Sequence, residues 1–378
     1  MENHNISREL DFSKLVEKYP ELRPWFHHNR FEWHDNSAVV LITRILLQEW
    51  GLQVQIDSNR LCPRLFNRLD YLDFMHDLLG SFKNTVGLDV GTGHLAIYAL
   101  LGAKLYGLEF VASDIDRESL RLAESNISRN GLGSAVTLVH NEPSESFFDC
   151  LVSRLGPKHG FVMCNPPFYS SATEMRQRAD LKADARAVSA MANELVVEGG
   201  EIAFVSRMIR ESESHKESNI TWFTSLLGKY DSLKPLVSLL RSKKIDNFGV
   251  HAFRSSLTQT GTQRWILFWS FKPDRPKADL FNSIVTQKVR REFKCNQKNL
   301  KERLHALDSI DVSEPNQSSL VLQVPGNVWS RSYRRQKRYA EDQMRVKITF
   351  DENTVVTWKS GLNYQLFESF CNWCKEST

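Results

Sequence analysis

The chain has 378 residues, enough for about two to three domains. Its 41% hydrophobic and 25% charged residues are ordinary soluble values, which exclude a collagen-like, wholly disordered or disulfide-scaffolded chain. The net charge of +4 is uneven: residues 280–378 carry 16 Lys/Arg against 11 Asp/Glu, and the first 279 residues carry 33 against 34, so a near-neutral body bears a basic C-terminal segment. Such a segment suits an anionic partner or a solvated basic helix.

The N-terminus has no apolar signal region, which makes a cytosolic or nuclear protein the expectation. The first 80 residues read as helical, with Leu41, Ile45 and Leu46 at helical spacing and a second run from Tyr71 to Leu79 that ends at Gly80. The most apolar stretch, 96–112, contains Lys104 and Glu109 and is too short and too charged to span a bilayer. Short apolar runs follow at 86–90, 110–112, 136–139, 161–164 and 202–205. Helical patterns fall between them, most clearly at 117–129 and 184–196. Strands alternating with helices predict a parallel, doubly wound α/β sheet. A helix over 219–227 and adjacent strands at 248–253 and 264–271 would close this body. Two prolines within 271–277 read as a linker. Beyond it, a strand at 319–324, a helix over 328–343, a hairpin of 346–350 and 355–358 about 351–353, and a final helix over 362–373 predict a small α+β module.

Leu88-Asp-Val-Gly-Thr-Gly93 follows the first strand and opens a helix at about His94. Its glycines permit a tight turn and close backbone approach to a ligand. The three-glycine dinucleotide pattern is incomplete, because position 96 is Ala, which favours a nucleoside ligand without pyrophosphate. Asp114 lies 21 residues after Gly93 at the end of the next strand, where a carboxylate can accept from both ribose hydroxyls. Asp116 reads as the cap of the following helix.

Asn165-Pro-Pro-Phe168 follows the strand 161–164 at its carboxyl end, the edge at which open α/β sheets bind ligands. The two prolines stiffen an extended corner. The Asn165 amide oxygen and the Pro166 carbonyl are then two acceptors about one amino group apart. Holding both hydrogens of an exocyclic amine there aims its lone pair at an electrophilic carbon. Phe168 offers a ring for stacking the target base. The bland alternative is a proline turn after a core strand with Phe168 buried.

These residues resemble class I S-adenosylmethionine-dependent methyltransferases of the N6-adenine group. With the 97–103 run, Leu227-Gly-Lys229, Pro235-Leu236, Arg264-Trp265 and Trp269-Ser-Phe271, the chain resembles the methyltransferase-like sixteen family over roughly residues 10–272. That resemblance implies a Rossmann-like catalytic domain over 81–272. It implies an N-terminal helical extension over 1–80, serving as RNA groove and cofactor lid, a linker over 273–279, and a basic α+β RNA-binding module over 280–378. It implies catalysis by Asn165, Pro166, Pro167 and Phe168, and cofactor contacts from Asp89, Gly91, Thr92, Gly93, Asp114 and Asn165. Arg68 would pair with the cofactor carboxylate. The segment 141–146 follows the third strand, where cofactor-base contacts usually lie, and nothing in it is assigned. The implied reaction is methylation of N6 of an adenosine in structured RNA, foremost U6 small nuclear RNA, in the nucleus with the cytoplasm as alternative. The rivals are ribosomal RNA adenine methylation, glutamine N5 methylation of protein, and a non-catalytic RNA-binding protein on the same fold.

For RNA contact the candidates are Lys243, Lys244 and Arg254 and, in the basic run of the C-terminal module, Arg331, Arg334, Arg335, Lys337 and Arg338. The run falls on one broad helical face and reads equally well as a nuclear-localisation signal. His4, His27, His28 and His34 are not spaced with cysteines as a zinc site, so no metal is expected. Cys371-Asn-Trp-Cys374 lacks a second pair and reads as a helix face.

Overall fold

A computed structural model describes residues 11–28, 30–33, 35–167, 169–171, 196–254, 263–280, 287–307, 309–331, 333 and 343–376. The chain folds as two units, Met1–Leu236 with Ala252–Leu267, and Val237–His251 with Phe268–Thr378.

The first unit opens with α1 (Phe12–Lys18), a two-residue pair β1 (Phe26–His27) and β2 (Arg30–Phe31), α2 (Asn36–Glu49) and α3 (Leu65–Leu79). Asp11 and Asp35 cap α1 and α2 by accepting from Lys14 N and Ala38 N. Gly80, in the left-handed region, ends α3. Then come β3 (Thr85–Val90), α4 (Ile97–Tyr106), β4 (Glu109–Asp114), α5 (Arg117–Arg129), β5 (Val136–His140), α6 (Asp149–Val152), β6 (His159–Cys164), α7 (Gly200–Ser212) and β7 (Ile220–Leu227). Next in the chain are α8 (Leu233–Ser242), β8 (Asn247–Arg254) and β9 (Gln263–Ser270).

The strand order is β5-β4-β3-β6-β7-β9-β8, and β4–β5, β3–β4, β3–β6 and β6–β7 are parallel. The order reverses between β3 and β6. The carboxyl ends of these two strands therefore open a crevice, the place such sheets bind ligands. Both faces of the central strands are covered, so Leu88, Phe161, Val162, Met163 and Leu227 are fully buried.

Two predicted elements are corrected. The run 202–205, expected as a strand, lies inside helix α7, where Val205, Met208, Ile209 and Ser212 are buried at three/four spacing. The segment 219–227, expected as a helix, is strand β7. Its Trp222, Phe223, Thr224 and Ser225 are consecutively buried, as a central strand covered on both faces requires. The expected helix over 184–196 lies outside the described residues, apart from Val196, which bridges Tyr169. Helix α4 begins at Ile97 rather than at His94.

The second unit contains β10 (Arg290–Phe293), α9 (Gln297–His305), β11 (Asp311–Asn316), β12 (Ser319–Val324), β13 (Met344–Phe350), β14 (Thr354–Ser360) and α10 (Tyr364–Lys375). Its sheet is antiparallel, in the order β10-β14-β13-β12-β11. The expected hairpin about 351–353 is β13–β14. Its core includes Leu300, Leu322, Ile348, Trp358 and Phe367, with Trp358 stacked on Phe367 at 5.0 Å. The proline-containing stretch after β9 is fastened by Gly361 N donating to Pro273 O and Arg275 N to Lys359 O. The Arg275 guanidinium lies 3.4 Å from the Trp358 ring centroid. Of the predicted helix over 328–343, Arg331 and Tyr333 are helical and 334–342 lie outside the described residues. Cys371 and Cys374 are buried on the inner face of α10, and all six cysteines are free thiols. No described helix is long and apolar enough to cross a membrane. The described residues hold no group of three or more metal-ligating side chains.

Candidate active site

β3 leaves the sheet through the glycine turn because Gly91 (φ 74°) and Gly93 (φ 68°) adopt the left-handed conformation that a Cβ resists. At both positions a Cβ would project into open space. Gly91 N and Thr92 N donate to Ser113 O, and Gly93 N donates to Asp114 Oδ2 at 2.7 Å. Asp116 N donates to Asp114 Oδ1 at 2.9 Å. Asp114 thus holds the turn itself while each oxygen keeps a further lone pair. Burial pushes its pKa up, and the backbone donors of Asp116 and Gly93 pull it back. Asp116 caps α5 by accepting from Ser119 N and pairs with the buried Arg60 at 2.5 Å.

Asp89 stands one layer behind the turn. Its Oδ2 accepts from Thr92 Oγ1 at 2.7 Å, and its buried Oδ1 has no partner. Burial pushes its pKa up to about 7; the Thr92 hydrogen bond and the Arg68 charge lower it, and Asp114 raises it.

Arg68 reaches in from α3. Its Nη1 donates to Tyr98 Oη at 2.8 Å, its guanidinium lies over the Tyr98 ring, and its buried Nε has no partner. Across the crevice, β6 delivers Asn165. Tyr71 supports this corner from the core: its hydroxyl shares a 2.6 Å hydrogen bond with Thr224 and accepts from Cys164 N. Asn165 is half-buried and its Oδ1 is shielded from solvent without a partner; Pro166 is buried.

A cavity of about 400 Å³ joins these groups, lined by Arg68, the turn 91–93, Asp114, Asn165, Pro166 and Pro167. Its far wall is Asn141, Phe147, Phe204 and Arg207. Phe168 and, in the basic run, Arg334, Arg335, Lys337 and Arg338 lie outside the described residues, as does the side chain of Arg254 at the end of β8. Lys243 and Lys244 follow α8 in the second unit, and Arg331, also in that unit, is exposed.

The sequence points to segment 141–146 for base contacts without assigning a residue, and Phe147, Phe204 and Arg207 go beyond that expectation. Asn141 follows β5, is buried, and donates through Nδ2 to Ser146 O. Arg207 on α7 donates from Nε to Glu211 Oε1 at 2.5 Å, from Nη1 to Pro143 O at 2.9 Å and from Nη2 to Glu145 O at 2.5 Å. It also lies over the Phe147 ring, and Phe147 N donates to Glu211 Oε2. For Phe204 and Arg207 the available signal is the three/four spacing of α7, which a strand at 202–205 hides.

The cavity lining combines the Arg68 guanidinium, the Asp114 carboxylate, the Asn165 amide and the aromatic rings of Tyr98, Phe147 and Phe204. That set matches a nucleoside carrying an amino-acid chain, and the unpartnered Arg68 Nε and Asn165 Oδ1 are placed for polar groups of ligands.

The sequence profile of a family described as RNA methyltransferase matches residues 1–273. The chain belongs to that family. It is 30% identical over 368 residues to the U6 small nuclear RNA (adenine-(43)-N(6))-methyltransferase of Schizosaccharomyces pombe, covering 90% of this chain and 92% of that one. It is 33% identical over 287 residues to human RNA N(6)-adenosine-methyltransferase METTL16, covering 72% of this chain and 50% of that one, so it spans about half the length of the human relative. The human catalytic domain in complex with a MAT2A 3'UTR hairpin superposes with a TM-score of 0.61 at 31% identity, covering 71% of this chain and 94% of that one. The human N-terminal domain in complex with SAH superposes with a TM-score of 0.57 at 31% identity, covering 71% and 97%. The residues matched, 1–273, include every residue that lines the cavity.

Proposed function

We propose that this protein transfers a methyl group from S-adenosylmethionine to N6 of an adenosine in structured RNA, with U6 small nuclear RNA as the substrate. The observation that carries the reading is the Asn165 amide oxygen, withdrawn from solvent and without a hydrogen-bond partner at the carboxyl end of β6. A buried acceptor left unsatisfied costs about 1–3 kcal/mol, which ligand binding would recover.

Bound S-adenosylmethionine supplies an electrophilic methyl on a sulfonium. Arg68 would hold its carboxylate, Asp114 its ribose, and the turn 91–93 the closely approaching chain. Asn165 Oδ1 and the Pro166 carbonyl would accept both hydrogens of the adenine amine. This orients the nitrogen lone pair and stabilises the charge that develops on it. Nitrogen gains its positive charge on attack and releases a proton to solvent afterwards, so no strongly basic side chain is required. The target base must leave its stack to reach this corner. The basic residues of the C-terminal unit supply phosphate contacts, and a U6 substrate implies the nucleus as the working compartment.

The test is transfer of labelled methyl to total small RNA, followed by digestion to nucleosides. The expected outcome is label in N6-methyladenosine of U6. Label confined to protein, or absent altogether, would falsify the reading.

A further inference from the structure

Next to the catalytic corner, outside the lining of the cofactor cavity, the first unit carries an aromatic and basic shelf. Tyr169 follows the corner, and its carbonyl accepts from Val197 N at 3.0 Å. Lys229 Nζ lies 5.6 Å from the centre of its ring. The next residue, Tyr230, is 48% exposed and packs against Trp265 with ring centres 5.6 Å apart. None of these four side chains lines the cofactor cavity.

The shelf is held rigidly by a residue otherwise unexplained. Glu201, in the first turn of α7, is 1% exposed. Its carboxylate accepts from Gly228 N at 2.8 Å, Lys229 N at 3.1 Å and Ser232 Oγ at 2.5 Å. Burying a carboxylate is costly unless donors surround it. Here all three donors belong to the loop that carries Lys229 and Tyr230. β6 and β7 are parallel, so this loop and Asn165 leave the sheet at the same edge.

We infer that Tyr230 and Trp265, with Lys229, form a subsite for the nucleotide next to the target adenosine. The inference rests on the proposed function and adds where the polynucleotide lies. The cofactor cavity is lined from the carboxyl ends of β3 and β4, the segment after β5, and α7, and no residue of β7, β9 or the 228–232 loop lines it. An amine presented at Asn165 must therefore arrive with its strand from the side of β7 and β9. Extracting the target base deprives its neighbour of a stacking partner, and an exposed aromatic face replaces it without reading sequence. Lys229 stands where that nucleotide's phosphate would follow.

The experiment uses the full chain and a U6 small nuclear RNA transcript with 2-aminopurine at either nucleotide flanking the methylated adenosine. Binding to the wild type should quench one of the two probes. Tyr230→Ala should abolish that quench and raise the KM for RNA about 10-fold, with the Kd for S-adenosylhomocysteine within about 2-fold. Tyr230→Phe, which keeps the ring, should behave as wild type. Trp265→Phe should weaken the quench partly at an unchanged melting temperature. A wild type that methylates the transcript, together with a Tyr230→Ala variant that keeps both KM and quench, would overturn the subsite. So would equal losses in Tyr230→Ala and Tyr230→Phe, since the ring would then be irrelevant. A wild type that does not methylate the transcript would overturn the proposed function, and the subsite with it.

Discussion

Asn165 and Asp89 show how differently two polar side chains with solvent-shielded oxygens can serve one crevice. Asn165 keeps a solvent-shielded oxygen without a partner, and under the proposed function its contribution would be realised only when an amine arrives. Asn165→Ala should lower kcat at least ~100-fold and leave the Kd for S-adenosylhomocysteine within ~3-fold, read by single-turnover kinetics beside calorimetry. Asp89 acts on stability. Its pKa rises from the ordinary 3.8 to about 7 because burial penalises the carboxylate. Between those values the folded chain keeps a proton that the unfolded chain has released. Stability from this group is therefore lost as pH rises from about 4 to about 7. Asp89→Asn preserves an acceptor for Thr92 and removes the titration. In urea unfolding the variant should exceed the wild type at pH 7.5 and approach it at pH 4. Both residues stood out in the sequence by position within a motif. Their opposed roles did not, because burial and missing partners are properties of the assembled crevice.

Among the elements, β3, β4 and α4 meet at Phe110. A Cβ on Gly87 would come within 2.2 Å of this ring, and a Cβ on Gly102 would come equally close from the other side. Gly102→Ala gains helix propensity of up to ~1 kcal/mol but overpacks the ring, so a net loss of ~1–2 kcal/mol in chemical unfolding is expected. The cofactor's far wall depends on α7 in the same way, through Arg207 and its grip on the 143–147 backbone. Arg207→Ala should speed amide exchange at Phe147 and raise the Kd for S-adenosylhomocysteine several-fold, with kcat at saturating cofactor nearly unchanged. The sequence reading reversed α7 and β7 for a definable reason. The fragment 202–205 is too short to show a helical period, and the covering of β7 on both faces erases the alternation that marks a half-buried strand.

Across the whole molecule, the chain divides into two units, and residues 289–374 of the second carry a hydrophobic core cluster. The candidate crevice lies in the first, and Lys243, Lys244 and Arg331 belong to the second. If the basic segment binds phosphate, replacing Arg331, Arg334, Arg335, Lys337 and Arg338 with Gln should weaken U6 RNA binding. The slope of log affinity against log salt should become shallower by up to ~0.7 for each phosphate of single-stranded RNA that is no longer neutralised. Cofactor affinity should stay unchanged. Fluorescence anisotropy over a salt series reads the first effect and calorimetry the second; an unaltered slope would remove the segment from the RNA interface.

Taken alone, the amino-acid order determined the chemistry on offer: a glycine turn, an acid one strand later and an Asn-Pro-Pro corner. Each is a short-range pattern whose meaning comes from backbone permissions and side-chain inventory. It also determined the doubly wound class, because alternating strands and helices admit few other arrangements. Only the tertiary structure decided that Arg68 and Asn165 line one cavity, that Arg207 braces the loop after β5, and that a buried Glu201 fixes the Lys229–Tyr230 loop. Those pairings join residues from different elements, and nothing local in the chain encodes a pairing that exists only once the sheet has closed over its core.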